Sequence, residues 1–106
     1  MAASDAPLYS VYGDDPDMGE IVEMFVDEMP ERVERLEQLL GAEDWEGLGC
    51  FAHQLKGACG SYGFDQLTLL AQRLEKATRG GEPEEMIRRS LEDLTDGFRR
   101  AQAGSP

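Results

Sequence analysis

Residues 48–63 have the sequence LGCFAHQLKGACGSYG and contain the only histidine of the 106-residue chain. With about 3.6 residues per helical turn, a helix through this stretch carries one continuous apolar stripe. The stripe consists of Leu48, Ala52, Leu55 and Cys59. This pattern predicts a helix that packs the stripe against a core. His53 lies about a third of a turn from the stripe, so we expect its ring to point towards solvent.

Small residues surround His53 on this predicted helix. Gly49, Gly57 and Gly60 lie four residues before, four after and seven after it, and Lys56 lies three after. Each glycine in a helix interior costs about 0.5–1 kcal/mol relative to alanine, so local stability does not explain the pattern. Access to the ring does explain it. We therefore predict that His53 is a nucleophile presented to a macromolecular partner, with Lys56 as a nearby positive charge.

Two simpler interpretations stay open at this point. A single histidine is often a surface or core residue without a chemical role. Clustered glycines also occur where two helices pack closely. If the helix face that carries His53 is exposed, the prediction of an accessible nucleophile is favoured over these two interpretations.

The segment 53–57 (HQLKG), followed by small residues and Gly63, resembles the signature of histidine-containing phosphotransfer (HPt) domains. The resemblance covers about residues 14–78 and includes the segments 15–18 (DPDM) and 25–30 (FVDEMP). It continues through YGF at 62–64 and through Leu67, Ala71, Leu74 and Glu75. Cys50 and Cys59 depart from the polar and small residues that are commoner at their positions.

The resemblance implies a phosphorelay intermediate of two-component signalling. His53 would accept a phosphoryl group from an aspartate of a receiver domain and pass it to another receiver. Lys56 would stabilise the charge of the phosphoryl group, and Gly57, with Gly60 and Gly49, would leave clearance for the partner. The implied partners are response-regulator receiver domains and a hybrid sensor histidine kinase. Magnesium would belong to the receiver, so we expect no cofactor and no metal on this chain.

The alternative function is a helical module that docks a receiver or a kinase without carrying phosphate. A plain helical dimerisation domain is a third possibility. The chain has no Walker loop, so it is expected to be a carrier protein without an ATP-binding site rather than an enzyme. Cys50 and His53 supply at most half of a zinc site, because the second cysteine is predicted to face away and there is no second histidine.

Composition excludes several other classes of partner. Ten basic and 22 acidic residues give a formal charge of −12, which disfavours nucleic acid and anionic membranes as partners. The chain has neither a signal peptide pattern nor an apolar run long enough to span a membrane. Cys50 and Cys59 are nine residues apart on opposite faces of one predicted helix, so they cannot pair with each other. These features predict a reduced, cytoplasmic protein, and we expect a monomer.

The remaining helices follow from apolar spacing and from end signals. Residues 14–17 (DDPD) are expected to begin the first helix, and Pro30 to kink or divide it near Met29. Gly41 is predicted to end that segment as its left-handed C′ residue, and Asp44 to cap the central helix. The apolar positions of the first segment are Met18, Ile21, Phe25, Met29, Val33, Leu36 and Leu40.

The second half contains two further helices. Gly63 is predicted to adopt the left-handed conformation in a Schellman motif with Phe64, and Asp65 to cap the next helix. Gly80 and Gly81 form the following turn. The last apolar stripe consists of Ile87, Leu91, Leu94, Phe98 and Ala101. No strand pattern is apparent.

Together these segments predict an all-α fold, an antiparallel up-down four-helix bundle with a short or kinked extra N-terminal helix. Residues 14–102 form the bundle. Residues 1–13 are a leader, in which Tyr9, Val11 and Tyr12 can anchor the chain to the bundle, and residues 103–106 are a frayed tail.

Overall fold

Helices dominate residues 6–104, the part of the chain that this computed structural model describes. The helices are α1 (Gly19–Asp27), α2 (Met29–Gly41), α3 (Trp45–Ser61), α4 (Asp65–Arg79) and α5 (Glu84–Arg100). Two short strands flank them, β1 (Leu8–Tyr9) and β2 (Ala101–Gln102). Helices α2–α5 are joined by short connections and pack on one another, so they form the predicted bundle, and α1 is the extra N-terminal helix.

The predicted apolar stripes meet in one core. Side chains from every bundle helix are almost completely buried there: Leu36, Leu48, Leu67, Leu74 and Leu94. The α3–α4 pair has the most extensive interface between elements, and α4 also packs on α5. This interface fixes the position of α3 relative to α4. Among residues 6–104, no helix combines the length and the apolar character needed to cross a bilayer.

Pro30 divides the first helical segment as predicted. It lies in the first turn of α2, and Glu28 separates α1 from α2. The prediction for Ile21 is wrong, because this residue is 41% exposed while Val22 is completely buried. Since α1 is a separate short helix, Val22 and Phe25 form its buried stripe rather than the stripe extrapolated from α2.

Two helix ends form as the sequence predicts. Asp44 caps α3, since its Oδ1 accepts a hydrogen bond from the N–H of Gly47 at 2.9 Å. At the other end, Gly63 has a φ of 79°, and the N–H of Phe64 donates to the carbonyl of Cys59 at 2.9 Å. The N–H of Gly63 also donates to the carbonyl of Gly60, which completes the Schellman motif.

Two other end signals are misassigned. Gly41 is the last residue of α2, but the left-handed residue of this turn is Glu43, with a φ of 54°. Asp65 is the first residue of α4 rather than its cap, and no side chain caps this helix. The carboxylate of Asp65 still lies in the first turn, where it complements the helix dipole.

The strands are a feature that the sequence pattern did not indicate. Leu8 pairs with Ala101 and Tyr9 with Gln102 in parallel register. Strands this short have no detectable alternation. Val11 and Tyr12 lie over Gly63 yet stay exposed.

Ser10 provides a firmer attachment of the leader, because it is buried and its hydroxyl donates to the carbonyl of Tyr62. The carbonyl of Gly104 approaches Gly13, so the start of the predicted tail packs against the leader. Residues 1–5 of the leader and 105–106 of the tail lie outside the described residues.

Candidate functional site

His53 lies in the middle of α3 with 57% of its side chain exposed. The apolar stripe of the same helix faces inwards, with Leu48, Ala52, Leu55 and Cys59 all buried. The ring is therefore presented to solvent, as the helical spacing predicts, and is not a core histidine.

One ring nitrogen of His53 is held by a carboxylate from the neighbouring helix. Oε2 of Glu75, on α4, lies 2.9 Å from Nδ1 of His53. An ionised carboxylate only accepts hydrogen bonds, so Nδ1 carries the proton in this pair. A neutral ring with its proton on Nδ1 has its lone pair on Nε2. Within residues 6–104, no hydrogen bond engages Nε2.

Two cations share the carboxylate of Glu75. Nζ of Lys56 lies 3.0 Å from Oε1, and Nη1 of Arg79 lies 2.7 Å from Oε2. The hydrogen bond from Lys56, with a further one from His53, lowers the pKa of Glu75 even though burial opposes ionisation. With His53 neutral, two cations and one carboxylate leave this group of side chains with a positive charge, on a chain whose formal charge is −12.

The three glycines near His53 have different surroundings. A Cβ added at Gly57 would meet nothing within 4 Å, and one added at Gly60 would meet only Oγ1 of Thr68, at 3.7 Å. Both glycines are exposed, so no side chain at these two positions stands between His53 and a partner. Gly49 is buried, and a Cβ there would lie 2.9 Å from Oγ1 of Thr78. The prediction that Gly49 clears space for a partner is therefore wrong, because Gly49 makes room for α4.

The two cysteines point to opposite faces of α3, as predicted. Cys50 is exposed, whereas Cys59 is buried, and burial raises the pKa of the Cys59 thiol to about 12. Neither forms a disulfide. Across residues 6–104, no three His, Cys, Asp or Glu side chains are grouped so that they could hold a metal ion.

The family model of the Hpt domain matches residues 20–104, and the chain therefore belongs to the Hpt domain family. This confirms the resemblance to that family, which the sequence shows over about residues 14–78. Hpt domains are carriers of phosphoryl groups on histidine in two-component signalling.

Among curated proteins, the chain is similar to the Signal transduction histidine-protein kinase BarA of Shigella flexneri and of Escherichia coli strain K12. The identity is 34% over 77 residues in both cases, which is 73% of this chain and 8% of each relative. The chain thus spans a small part of the length of these kinases. No solved structure gives a significant match to the chain.

Sequence reasoning identified His53 and Lys56 but assigned no role to Glu75 or Arg79. Glu75 is 22 residues from His53, and only the register of α3 against α4 brings them together. The available signal was the spacing of Glu75 and Arg79, which is typical of an ion pair on one helix face. That spacing alone does not indicate proximity to His53.

Proposed function

We propose that the protein is a phosphorelay intermediate, in which His53 accepts a phosphoryl group from a receiver-domain aspartate and passes it to another receiver. The observation that carries this proposal is the contact between Nδ1 of His53 and the buried carboxylate of Glu75. This contact orients an exposed ring so that Nε2 is the free nucleophile.

The transfer balances without an additional reactant. The lone pair of Nε2 forms a bond to phosphorus while the bond from phosphorus to the aspartate oxygen breaks, and the carboxylate leaves with that electron pair. The ring becomes a phosphoimidazolium that keeps its proton on Nδ1. Its positive charge then lies 2.9 Å from the carboxylate of Glu75. In the onward step a carboxylate oxygen of the second receiver's aspartate forms a bond to phosphorus while the P–N bond breaks, and the electron pair of that bond returns to Nε2.

Positioning and charge supply the catalysis in this proposal. Phosphoryl transfer passes through a loose transition state with little covalent work for the protein. Lys56, whose ammonium group is anchored by Glu75, can stabilise the charge on the phosphoryl oxygens. We expect magnesium to come from the acidic pocket of the receiver and no cofactor from this chain.

The surface around His53 suits a flat protein partner. Gly57 and Gly60 place no side chain beside the ring on that part of α3, and the space next to Gly57 is open. We propose receiver domains of response regulators as partners, together with a hybrid sensor histidine kinase. Similarity to a histidine-protein kinase supports this assignment. We also propose a cytoplasmic monomer.

The direct test is transfer from a radiolabelled, phosphorylated receiver domain to the purified chain. We expect acid-labile, alkali-stable label on the wild type and none on His53→Gln. Ser61→Ala serves as a matched control, because Ser61 is the exposed last residue of α3 and its hydroxyl is the nearest serine nucleophile downstream. It should be labelled as the wild type is.

Two results would contradict the proposal. Label that persists in His53→Gln would remove His53 from its role. A wild type that binds the receiver but takes no label would indicate the alternative, a docking module without phosphate. Circular dichroism of each variant confirms that the helices are intact.

A further inference from the structure

The charge balance around Glu75 gives Arg79 a role beyond an ion pair within its own helix. Glu75 neutralises one cation, yet both Lys56 and Arg79 contact it. With Lys56 alone, the pair would be neutral before a phosphoryl group arrived. Arg79 is therefore the surplus positive charge of the site.

Arg79 is also adjacent to the phosphoacceptor ring. Its Nη1 and Nδ1 of His53 contact the same oxygen, Oε2 of Glu75, at 2.7 and 2.9 Å. The guanidinium has five N–H donors in a planar fork. Since 53% of the side chain is exposed, donors not used by Glu75 are open to a ligand at the surface.

The side chain of Arg79 packs over Gly49. A Cβ at Gly49 would lie 3.4 Å from Cγ of Arg79 and 3.6 Å from its Nε. Because Gly49 has no side chain, the stem of Arg79 lies against α3 one turn before His53. This contact gives a structural reason for a glycine that costs helix stability.

From these contacts we infer that Arg79 is a second phosphoryl-binding cation of the site, a role that rests on the proposed function. When the phosphoryl group is on Nε2, Arg79 donates to its oxygens from one side and Lys56 neutralises charge from the other. Guanidinium groups bind phosphoryl oxygens through two parallel hydrogen bonds, which favours arginine over lysine at such a position. Glu75 keeps its bond to Nδ1 throughout.

The test compares Arg79→Gln with Arg73→Gln. Both variants remove one positive charge from an exposed position of α4, but Arg73 faces Asp93 of α5, at 3.8 Å, away from His53. Transfer from a phosphorylated receiver is measured over a range of receiver concentrations. The measurement gives two quantities separately: the transfer rate at saturating receiver and the receiver concentration at which the rate is half-maximal.

We expect Arg79→Gln to lower the saturating rate at least about tenfold, with Arg73→Gln unchanged. Arg79→Lys should recover part of the loss, because it keeps the charge but not the fork. We expect the variants to rank in the same order of phosphorylation rate when phosphoramidate is the phosphodonor. In that reaction no receiver surface is present.

Three outcomes would overturn the inference. In the first, Arg79→Gln and Arg73→Gln behave alike. In the second, Arg79→Gln changes only the half-saturating receiver concentration and leaves the phosphoramidate reaction unchanged, which assigns Arg79 to receiver docking. In the third, wild type takes no label at all, which contradicts the proposed function itself. Unfolding curves of each variant, measured in urea, identify any loss caused by instability.

Discussion

Glu75 is the residue on which the site depends. Its side chain is 11% exposed, and its two oxygens contact Nδ1 of His53, Nζ of Lys56 and Nη1 of Arg79. A carboxylate with so little exposure is stable only when its charge and lone pairs are satisfied. Here the groups that satisfy it are those the proposed reaction uses. Structural and chemical roles therefore coincide in one side chain.

This arrangement predicts a pH-dependent contribution to stability. Because the folded state lowers the pKa of Glu75, the ionised carboxylate stabilises the fold fully above its ordinary pKa. That contribution is lost as the pH falls through the lowered value. We expect the difference in unfolding free energy between wild type and Glu75→Gln to be largest near neutral pH and to shrink in acid, as measured by urea denaturation.

Glu92→Gln is the matched control for this prediction. Glu92 is an exposed glutamate of α5 whose carboxylate forms no ion pair or hydrogen bond within residues 6–104. Its replacement should change stability little at any pH. An equal, pH-independent effect of both substitutions would contradict the assigned role of Glu75.

For individual residues, the sequence predicts those properties that depend only on position along one helix. The exposure of His53 follows from spacing along α3, and so does the burial of Cys59. The contact with Glu75 depends on how α3 and α4 align, which single-helix periodicity does not contain. Gly49 is misassigned for the same reason, since a buried glycine and an exposed one look identical until the neighbouring helix is in place.

At the level of the elements, the C-terminal end of α3 contacts the leader. Gly63 adopts a left-handed φ of 79°, and the N–H of Val11 donates to its carbonyl at 3.0 Å. Atoms of Ser10, Val11 and Tyr12 would each lie 2.8 Å from a Cβ added there. The leader thus packs on the turn that follows the helix carrying His53.

A pair of glycine substitutions separates backbone strain from this packing. Gly81 ends α4 in the same type of motif, with a φ of 67°, but a Cβ there would meet nothing within 4 Å. Gly81→Ala should cost about 1 kcal/mol from left-handed strain alone. Gly63→Ala should cost at least about 2–3 kcal/mol, because steric overlap with the leader adds to the strain.

Urea denaturation of the two variants measures both values. Equal costs at Gly63 and Gly81 would show that the leader does not pack on Gly63 as described. If the leader packs on Gly63, its removal should lower the cost of Gly63→Ala to that of Gly81→Ala.

End signals were predictable where one side chain or one glycine determines them. Asp44 caps α3 through its own carboxylate, and Gly63 is followed by the apolar Phe64 that a Schellman motif favours. The α2–α3 turn is different, because Glu43 occupies the left-handed region without any sequence preference for it. The division at Pro30 was clear, but its consequence for Ile21 required the actual angle between two short helices.

Across the whole molecule, the two ends of the described chain meet. The pairing of β1 with β2 joins the leader to the segment after α5, and Nη1 of Arg100 donates to the carbonyl of Ala6 at 3.3 Å. The leader in turn contacts the end of α3. The helix that carries His53 is thereby held by α4 along one side and by the leader at its C-terminal end.

The bundle itself follows from the sequence, since four apolar stripes joined by short connections leave few alternatives. The closure of the ends does not. Two-residue strands depend on contacts between residues more than 90 positions apart, and no local pattern indicates them. The same limit applies to Arg79, whose importance arises only from the assembled α3–α4 face.

The identity of the atom that receives the phosphoryl group is the most direct test of the proposed site. Phosphorylation of the ¹⁵N-labelled chain by a phosphorylated receiver, followed by ³¹P–¹⁵N NMR of the imidazole, measures this directly. We predict coupling of phosphorus to Nε2 of His53, with the proton retained on Nδ1 beside Glu75. Phosphorus on Nδ1, or on any residue other than His53, would contradict the account.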